Sequence, residues 1–232
     1  MLSLRTFSFI SRAQKTNPLK NLCSIRAFSS HDDDEFHNRN KFLPRLMNLP
    51  IQPYPNFIQT IRNFFFANII IRPYFDKDFS NQNFLDGAKA AAEYVANAIA
   101  IGDFDTLQNS NVLTEDCMRE VILNFSTFSN LQQQRLAFRK EEIIWNFIYQ
   151  IGIMFDDEKQ TRHVEITYTA HYLPELEQIA ENTENFKDLT EVVHKGAGPI
   201  VLTYRFIRNY TKGVEDSWTI NALNHACLKE LS

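Results

Sequence analysis

The spacing of apolar residues changes near Lys140, and this change constrains the fold more than any other feature of the chain. Between residues 80 and 138 the apolar residues recur every three or four positions, as on one face of a helix. After residue 140 they alternate with polar residues over two long stretches, as in strands with one buried face. Helices followed by antiparallel strands predict an α+β domain with the helices on one sheet face.

The best-marked helix is predicted between Ser80 and Gly102. Ser80 is a suitable N-cap and Gly102 a suitable C-terminal stop. Asp103 and Thr114 are placed to cap two further helices, and residues 129–138 are predicted to form a short helical turn. The apolar face of the first helix is predicted to consist of Phe84, Ala88, Ala91, Val95 and Ile99.

Two alternating stretches predict a long β-hairpin. One face of its first strand is predicted to hold Ile143, Trp145, Phe147, Tyr149, Ile151, Ile153 and Phe155. The buried face of its second strand is predicted to hold Val164, Ile166, Tyr168, Ala170 and Tyr172. His163 and His171 fall on the other face, which we expect to be exposed. A third strand is predicted from residue 200 and a fourth from Trp218, with a bulge between Asn221 and Asn224.

These elements predict N-terminal helices packed on a strongly curved, four-stranded antiparallel sheet. Such a sheet wrapped over a long helix makes a cone, an architecture that resembles the nuclear transport factor two fold. Trp145 and Trp218 are candidates to line an apolar mouth of the cone and to hold a client segment there. Aromatic residues on an inner sheet face are more often part of the core, so that alternative stays open.

The first 31 residues contain five bases and no acid, which is typical of a mitochondrial transit peptide. Arg26 shortly before Phe28 and Ser29 resembles a matrix-processing pattern, so we predict a transit peptide over residues 1–28. The alternative is a basic tail of a cytosolic protein. Residues 29–55 are polar and then interrupted by prolines, which predicts a linker. Residues 56–232 are predicted to form a single domain.

Residues 56–75 are the most apolar part of the chain. Polar and charged residues interrupt the run, which disfavours a membrane span. The pattern fits a helix in the membrane interface or a helix packed on the core, and the sequence does not decide between them. The residues predicted to be membrane-proximal are Phe57, Ile61, Arg62, Phe64, Phe65, Ile69 and Arg72.

Little in the sequence suggests catalysis. Removing the five N-terminal bases leaves 19 bases against 28 acids, which argues against direct nucleic-acid binding. The chain has no phosphate-binding glycine loop, no CxxC and no HExxH. His163 and His171 are about 26 Å apart along one strand, too far to share a metal. Cys117 and Cys227 are predicted to be reduced and buried. We therefore predict no catalytic residue, no metal and no cofactor.

Several short motifs nevertheless occur together in a specific order. They are Tyr74-Phe75-Asp76, Asp78-Phe79-Ser80, Phe84, Gly87-Ala88-Lys89, Ala92, Tyr94-Val95, Phe104-Asp105, Lys212-Gly213-Val214 and Trp218-Thr219-Ile220. Over roughly residues 56 to 230 this pattern resembles the m-AAA protease-interacting protein 1 family of the mitochondrial matrix. The chain departs from the family pattern mostly over residues 29–55 and in the acidic stretch 174–197.

The resemblance implies a non-enzymatic adaptor at the matrix face of the inner membrane. Its expected partners are the m-AAA protease, the inner-membrane surface and imported small membrane-protein precursors such as the essential regulator of the calcium uniporter. The broader group includes the import-motor anchor and a membrane-facing mitoribosomal protein, so a mitoribosome-associated membrane tether is an alternative. A small-molecule enzyme in the cone pocket is a second alternative, and it would need an inward-facing titratable residue.

Overall fold

The computed structural model describes residues 42–158, 160–174, 176 and 198–231. The predicted transit peptide, the first part of the predicted linker and nearly all of the acidic stretch lie outside the described residues. The boundary proposed at residue 28 lies outside the described residues, and this boundary and the one proposed at residue 55 remain predictions.

Among the described residues, five α-helices precede the sheet, and the first of them continues as a π-helix. The structure confirms the predicted caps, since the side chains of Ser80, Asp103 and Thr114 accept hydrogen bonds from the backbone of the first turns that follow them. Ser129 and Gln132 close a reciprocal cap on a short fifth helix. The helices are α1 Phe57–Phe65, which continues as a π-helix Phe66–Phe75, α2 Asn81–Ala100, α3 Phe104–Ser110, α4 Glu115–Phe125 and α5 Asn130–Gln134.

Four antiparallel strands follow, in the spatial order β1-β2-β3-β4. They are β1 Ile143–Asp156, β2 Thr161–Tyr172, β3 Ile200–Asn209 and β4 Thr219–Cys227. Helices packed against one four-stranded antiparallel sheet confirm the predicted α+β class, and the sheet is open rather than closed. The predicted bulge in the fourth strand is present, because the register of β3 and β4 shifts at Asn221.

Helix α2 packs on the inner face of the sheet, as its spacing predicts. Phe84 is 2% exposed and meets the ring of Phe206 edge-on at 5.4 Å. Ala88, Ala92 and Val95 continue the same buried face. Burying a large apolar side chain of this kind stabilises the fold by roughly 1.5–3 kcal/mol.

The predicted inner face of β1 is wrong in its first half. The pairing of β1 with β2 shifts register at Ile144 and again at Tyr149. Each extra residue turns the following side chains to the opposite face. Trp145 and Phe147 consequently lie opposite His171 and Thr169 on the outer face, whereas Ile151 and Ile153 point inward as expected.

Residues 42–55 pack against the sheet, and we call them the strap. The Leu46 N–H donates to Asn224 Oδ1 at 3.1 Å on β4, and Asn224 Nδ2 donates to the Leu49 carbonyl at 3.0 Å. Further along, His171 Nε2 on β2 donates to the Pro53 carbonyl at 2.7 Å. The strap thus crosses the outer face from β4 to β2. His171 is only 7% exposed, so its predicted exposure is wrong.

Candidate functional site

The most unusual surface belongs to residues 57–75, which comprise α1 and the π-helix and which we call the arm. The side of α1 that faces the protein is polar. Asn63 is 5% exposed, and its Nδ2 donates to the carbonyls of Ile148 at 3.2 Å and Tyr149 at 3.0 Å. Its Oδ1 accepts from the Ile151 N–H at 2.8 Å. The Asn63 amide therefore takes the place of a neighbouring strand beside the β1 bulge.

The apolar side of the arm faces outward. Phe57 is 77% exposed, Phe64 61% and Ile69 53%. Arg62 and Arg72 are also exposed, and the Arg62 guanidinium lies 4.8 Å from the centre of the Phe66 ring. All seven residues predicted to be membrane-proximal lie in the described part of the chain and are exposed. Contiguous exposed apolar side chains usually mark a surface that contacts a partner or a membrane.

Both ends of the π-helix are held to the domain. Ala67 and Ile71 are buried in the core, and Asn63 fixes the preceding turn. At the far end Asp76 Oδ2 accepts from Arg208 Nη1 at 3.0 Å, in an ion pair whose side chains are 17% and 23% exposed. The Phe75 ring lies 5.5 Å from that of Tyr210. The arm is therefore fixed against the domain with its apolar side outward.

Two motifs that carry the family resemblance meet at this anchor. The first is Tyr74-Phe75-Asp76, and the second precedes and begins β4. Trp218 packs edge-on against Phe84 at 5.2 Å and lies 6.3 Å from the Tyr210 ring, which in turn contacts Phe75. Residues far apart in the sequence thus build one junction between the arm, α2 and the sheet.

Trp145 and Trp218 do not share a cone mouth. The Trp145 ring contacts Phe147 at 4.8 Å and His171 at 5.3 Å on the outer face. Trp218 precedes β4, opposite the other end of β2 and beside α2. The bulge at Ile144 is the physical reason, since it turns Trp145 away from the inner face. The two tryptophans therefore do not define a common client site.

A buried histidine that the sequence interpretation missed lies on the inner face. His225 is 1% exposed, and Tyr204 and Tyr172 bracket its ring. The Tyr172 hydroxyl donates to the Arg135 carbonyl at 2.9 Å, so it accepts from His225 Nδ1 at 3.3 Å. His225 Nε2 then accepts from the Tyr204 hydroxyl at 3.0 Å. The hydrogen-bond pattern assigns the neutral Nδ1–H tautomer.

Burial lowers the pKa of His225 to about 3 and also lowers the pKa of His171, where the hydrogen bond to Pro53 opposes the effect. His225 therefore stays neutral near pH 7 with both ring nitrogens paired. No part of the sequence pattern marked it, because the bulge at Asn221 decides which side chains of β4 point inward.

The two described cysteines are buried and reduced, as predicted. Burial raises the pKa of Cys117 to about 12 and that of Cys227 to about 11, so both stay as thiols near pH 7. Within the described ranges, His, Cys, Asp and Glu do not group in threes or more in a way that could hold a metal ion. No helix in the described part of the chain combines the length and apolar character needed to cross a membrane.

Comparison with known proteins supports the resemblance seen in the motifs. The chain is 25% identical to the m-AAA protease-interacting protein 1, mitochondrial, of Rattus norvegicus over 227 residues, covering 95% of this chain and 74% of the relative. It is 25% identical to the Homo sapiens protein over 213 residues, covering 90% and 69%. It is 24% identical to the Bos taurus protein over 212 residues, covering 90% and 69%.

No family model matches the chain. The relatives are named as mitochondrial and as interacting with the m-AAA protease. The predicted resemblance to the m-AAA protease-interacting protein 1 family is thereby confirmed, at 24–25% identity over about 90% of the chain.

Proposed function

We propose that this chain is a non-enzymatic mitochondrial adaptor that associates with the m-AAA protease at the matrix face of the inner membrane. The observation that carries the proposal is the similarity over about 90% of the chain to relatives named for that interaction. The acid-free first 31 residues, which we predicted to be a transit peptide, support delivery to the matrix.

The arm supports a position at the membrane surface. An interfacial helix needs an apolar face that is free of the protein's own core and basic residues near lipid headgroups. The arm has both, because Phe57, Phe64 and Ile69 point outward and Arg62 and Arg72 are exposed. In this position the chain would meet precursors as they reach the membrane. We propose that it assists their sorting and maturation, including that of the calcium uniporter's essential regulator.

The environment of His225, which points inward, also fits a non-enzymatic role. An enzyme would need a substrate atom to reach this ring. The ring is 1% exposed, and both of its nitrogens are paired with tyrosine hydroxyls. Using it as an acid or base would require opening the core around Tyr172 and Tyr204, both of which have no measurable exposure.

Affinity purification of the tagged full chain from mitochondria in mild detergent, followed by mass spectrometry, tests the proposal. We expect enrichment of m-AAA protease subunits together with short membrane-protein precursors. A matrix protein of similar size with the same tag controls for abundant contaminants. Enrichment of large-subunit ribosomal proteins alone would contradict the adaptor proposal in favour of the tether. Recovery of no partner, also after cross-linking in intact mitochondria, would contradict both.

A further inference from the structure

Charge is distributed unevenly across the sheet. The arm contains two arginines, Arg62 and Arg72, and no acid. Strand β1, beside it, contains no charged residue until its last position, Asp156. The described residues outside the arm hold 12 bases against 18 acids. The arm is therefore positive, whereas the rest of the described domain is negative.

The two edges of the sheet differ in the same way. At the β4 edge the Thr114 N–H donates to the Ile220 carbonyl at 2.9 Å, which places the start of α4 beside that strand. Helix α4 carries Glu115, Asp116 and Glu120 and a single base, Arg119. On the opposite side of the sheet, Asn63 pairs with the outward backbone groups of β1, which places the arm beside that strand.

Strand β1 adds its own exposed apolar side chains to this edge. Ile144 is 55% exposed, Trp145 41%, and Phe155 59%. The Phe155 ring lies 6.2 Å from Phe75 at the end of the arm, so the two elements are in contact. We call the exposed side chains of the arm and of β1 together the β1 edge.

We propose that the β1 edge is a docking surface for an anionic phospholipid bilayer, with the sheet standing edge-on, β1 nearest the lipid and β4 farthest from it. This inference rests on the membrane position in the proposed function and adds the orientation and the second element. Apolar side chains enter the boundary between headgroups and acyl chains, while arginines pair with lipid phosphates. The acidic β4 edge is repelled by the same surface.

Trp145 is the residue of the β1 edge best suited to report contact with lipid. Tryptophan is enriched at membrane interfaces because one side of its ring system is apolar and its N–H can hydrogen-bond to headgroups. Trp145 is exposed at the β1 edge, whereas Trp218 is half-buried between α2 and the start of β4. They are the two tryptophans of the chain, so each can be observed alone.

Fluorescence quenching by brominated lipid tests the proposal on two versions of the full chain. Trp218→Phe leaves Trp145 as the reporter, and Trp145→Phe leaves Trp218. Each is mixed with vesicles of equal parts phosphatidylcholine and phosphatidylglycerol, and flotation measures binding in parallel. We expect several-fold greater fractional quenching of Trp145 than of Trp218. Vesicles of phosphatidylcholine alone should bind less of either version.

A variant pair checks that the quenching comes from the β1 edge. In the Trp218→Phe background, Phe64→Asp with Ile69→Asp should abolish the quenching of Trp145. Leu123→Asp, at a 72% exposed apolar position on α4, should leave it unchanged. These two variants are needed because the basic residues 1–31 could hold the chain on anionic vesicles without bringing Trp145 to the lipid.

The outcomes separate the orientation from the proposed function. Flotation with Trp145 unquenched, or with Trp218 quenched as strongly, overturns the edge-on orientation but leaves membrane association intact. The absence of flotation from anionic vesicles overturns this inference and also the membrane position in the proposed function. That result would instead indicate that the β1 edge docks on a protein.

Discussion

Helix α1 of the arm and helix α2 are both amphipathic, yet α1 turns its polar side inward and α2 its apolar side. Helix α2 points Phe84, Ala88 and Val95 into the core and its polar residues outward. The arm points Asn63 into the protein and leaves Phe57 and Phe64 exposed. The difference comes from what each helix packs against. Helix α2 meets the apolar inner face of the sheet, whereas the arm meets the backbone edge of β1, which offers carbonyl and N–H groups.

An amphipathic pattern predicts that a helix has two different faces, but not which of them is buried. A backbone edge favours a polar side chain, because unpaired carbonyl and N–H groups at a buried position cost free energy. Once Asn63 pairs with the backbone of β1, the apolar stripe of α1 points outward, while Ala67 and Ile71 further along the arm pack into the core. The exposed apolar surface is therefore a consequence of the bulge in edge strand β1. It is available to an external partner.

The largest expected difference between the two helices is the effect of removing a phenylalanine. Phe84→Ala removes a ring that is 2% exposed and contacts Phe206 and Trp218, and should lower the free energy of unfolding by about 3–5 kcal/mol. Phe64→Ala removes a ring that is 61% exposed and should change it by less than about 0.5 kcal/mol. Urea unfolding measures both. Similar losses in the two variants would mean that the arm's apolar side is core.

The next largest effect concerns the polar contact of the arm. Asn63→Leu removes the hydrogen bonds to β1 and leaves the buried Ile151 N–H unpaired, at a cost of about 2–3 kcal/mol. The matched control is Asn68→Leu, because the exposed Asn68 bonds only to the Phe64 carbonyl of the preceding turn. Differential scanning calorimetry should show a lower Tm for the first variant alone. Equal Tm values would show that Asn63 does not hold the arm.

A smaller effect should appear in the pH dependence of stability. The pKa of His225 is about 3 in the folded chain against an ordinary value of 6.5, so below pH 6.5 only the unfolded chain takes up this proton. Its contribution is complete above pH 6.5 and is lost toward pH 3, at about 1.4 kcal/mol per pH unit. His225→Gln should flatten the dependence of urea midpoints on pH between about 7 and about 5. An unchanged slope would contradict this assignment.

The order and caps of the helices followed from local sequence signals, and so did the four strands. The faces of β1 did not, because the bulges at Ile144 and Tyr149 arise from pairing with β2 and with Asn63 and leave no mark in an alternating pattern. The position of Trp145 was wrong for this reason. Within a strand, one extra residue reverses every later side chain.

The packing of the strap on the sheet is the second feature that the sequence did not predict. Leu46 bonds to Asn224 across 178 positions, and Pro53 bonds to His171 across 118. Contacts of that length cannot be inferred from neighbouring residues, and prolines in this range predicted a linker. Covering the outer face buries His171, Thr203 and Asn224, which look like surface residues in the sequence. The apolar residues of the arm were found from the sequence, but their outward direction needed the structure.

The most direct test of the account is whether the exposed side of the arm binds membranes without contributing to folding. Phe64, Phe65 and Ile69 are replaced together by Asp, and unfolding is measured beside fractionation of sonicated mitochondria into membranes and soluble matrix. A control variant carries Ile122→Asp and Leu123→Asp on α4, whose side chains are 43% and 72% exposed. We predict that the arm variant folds and moves to the soluble fraction while the control stays on membranes. An arm variant that unfolds, or that folds and stays on membranes, would contradict the account.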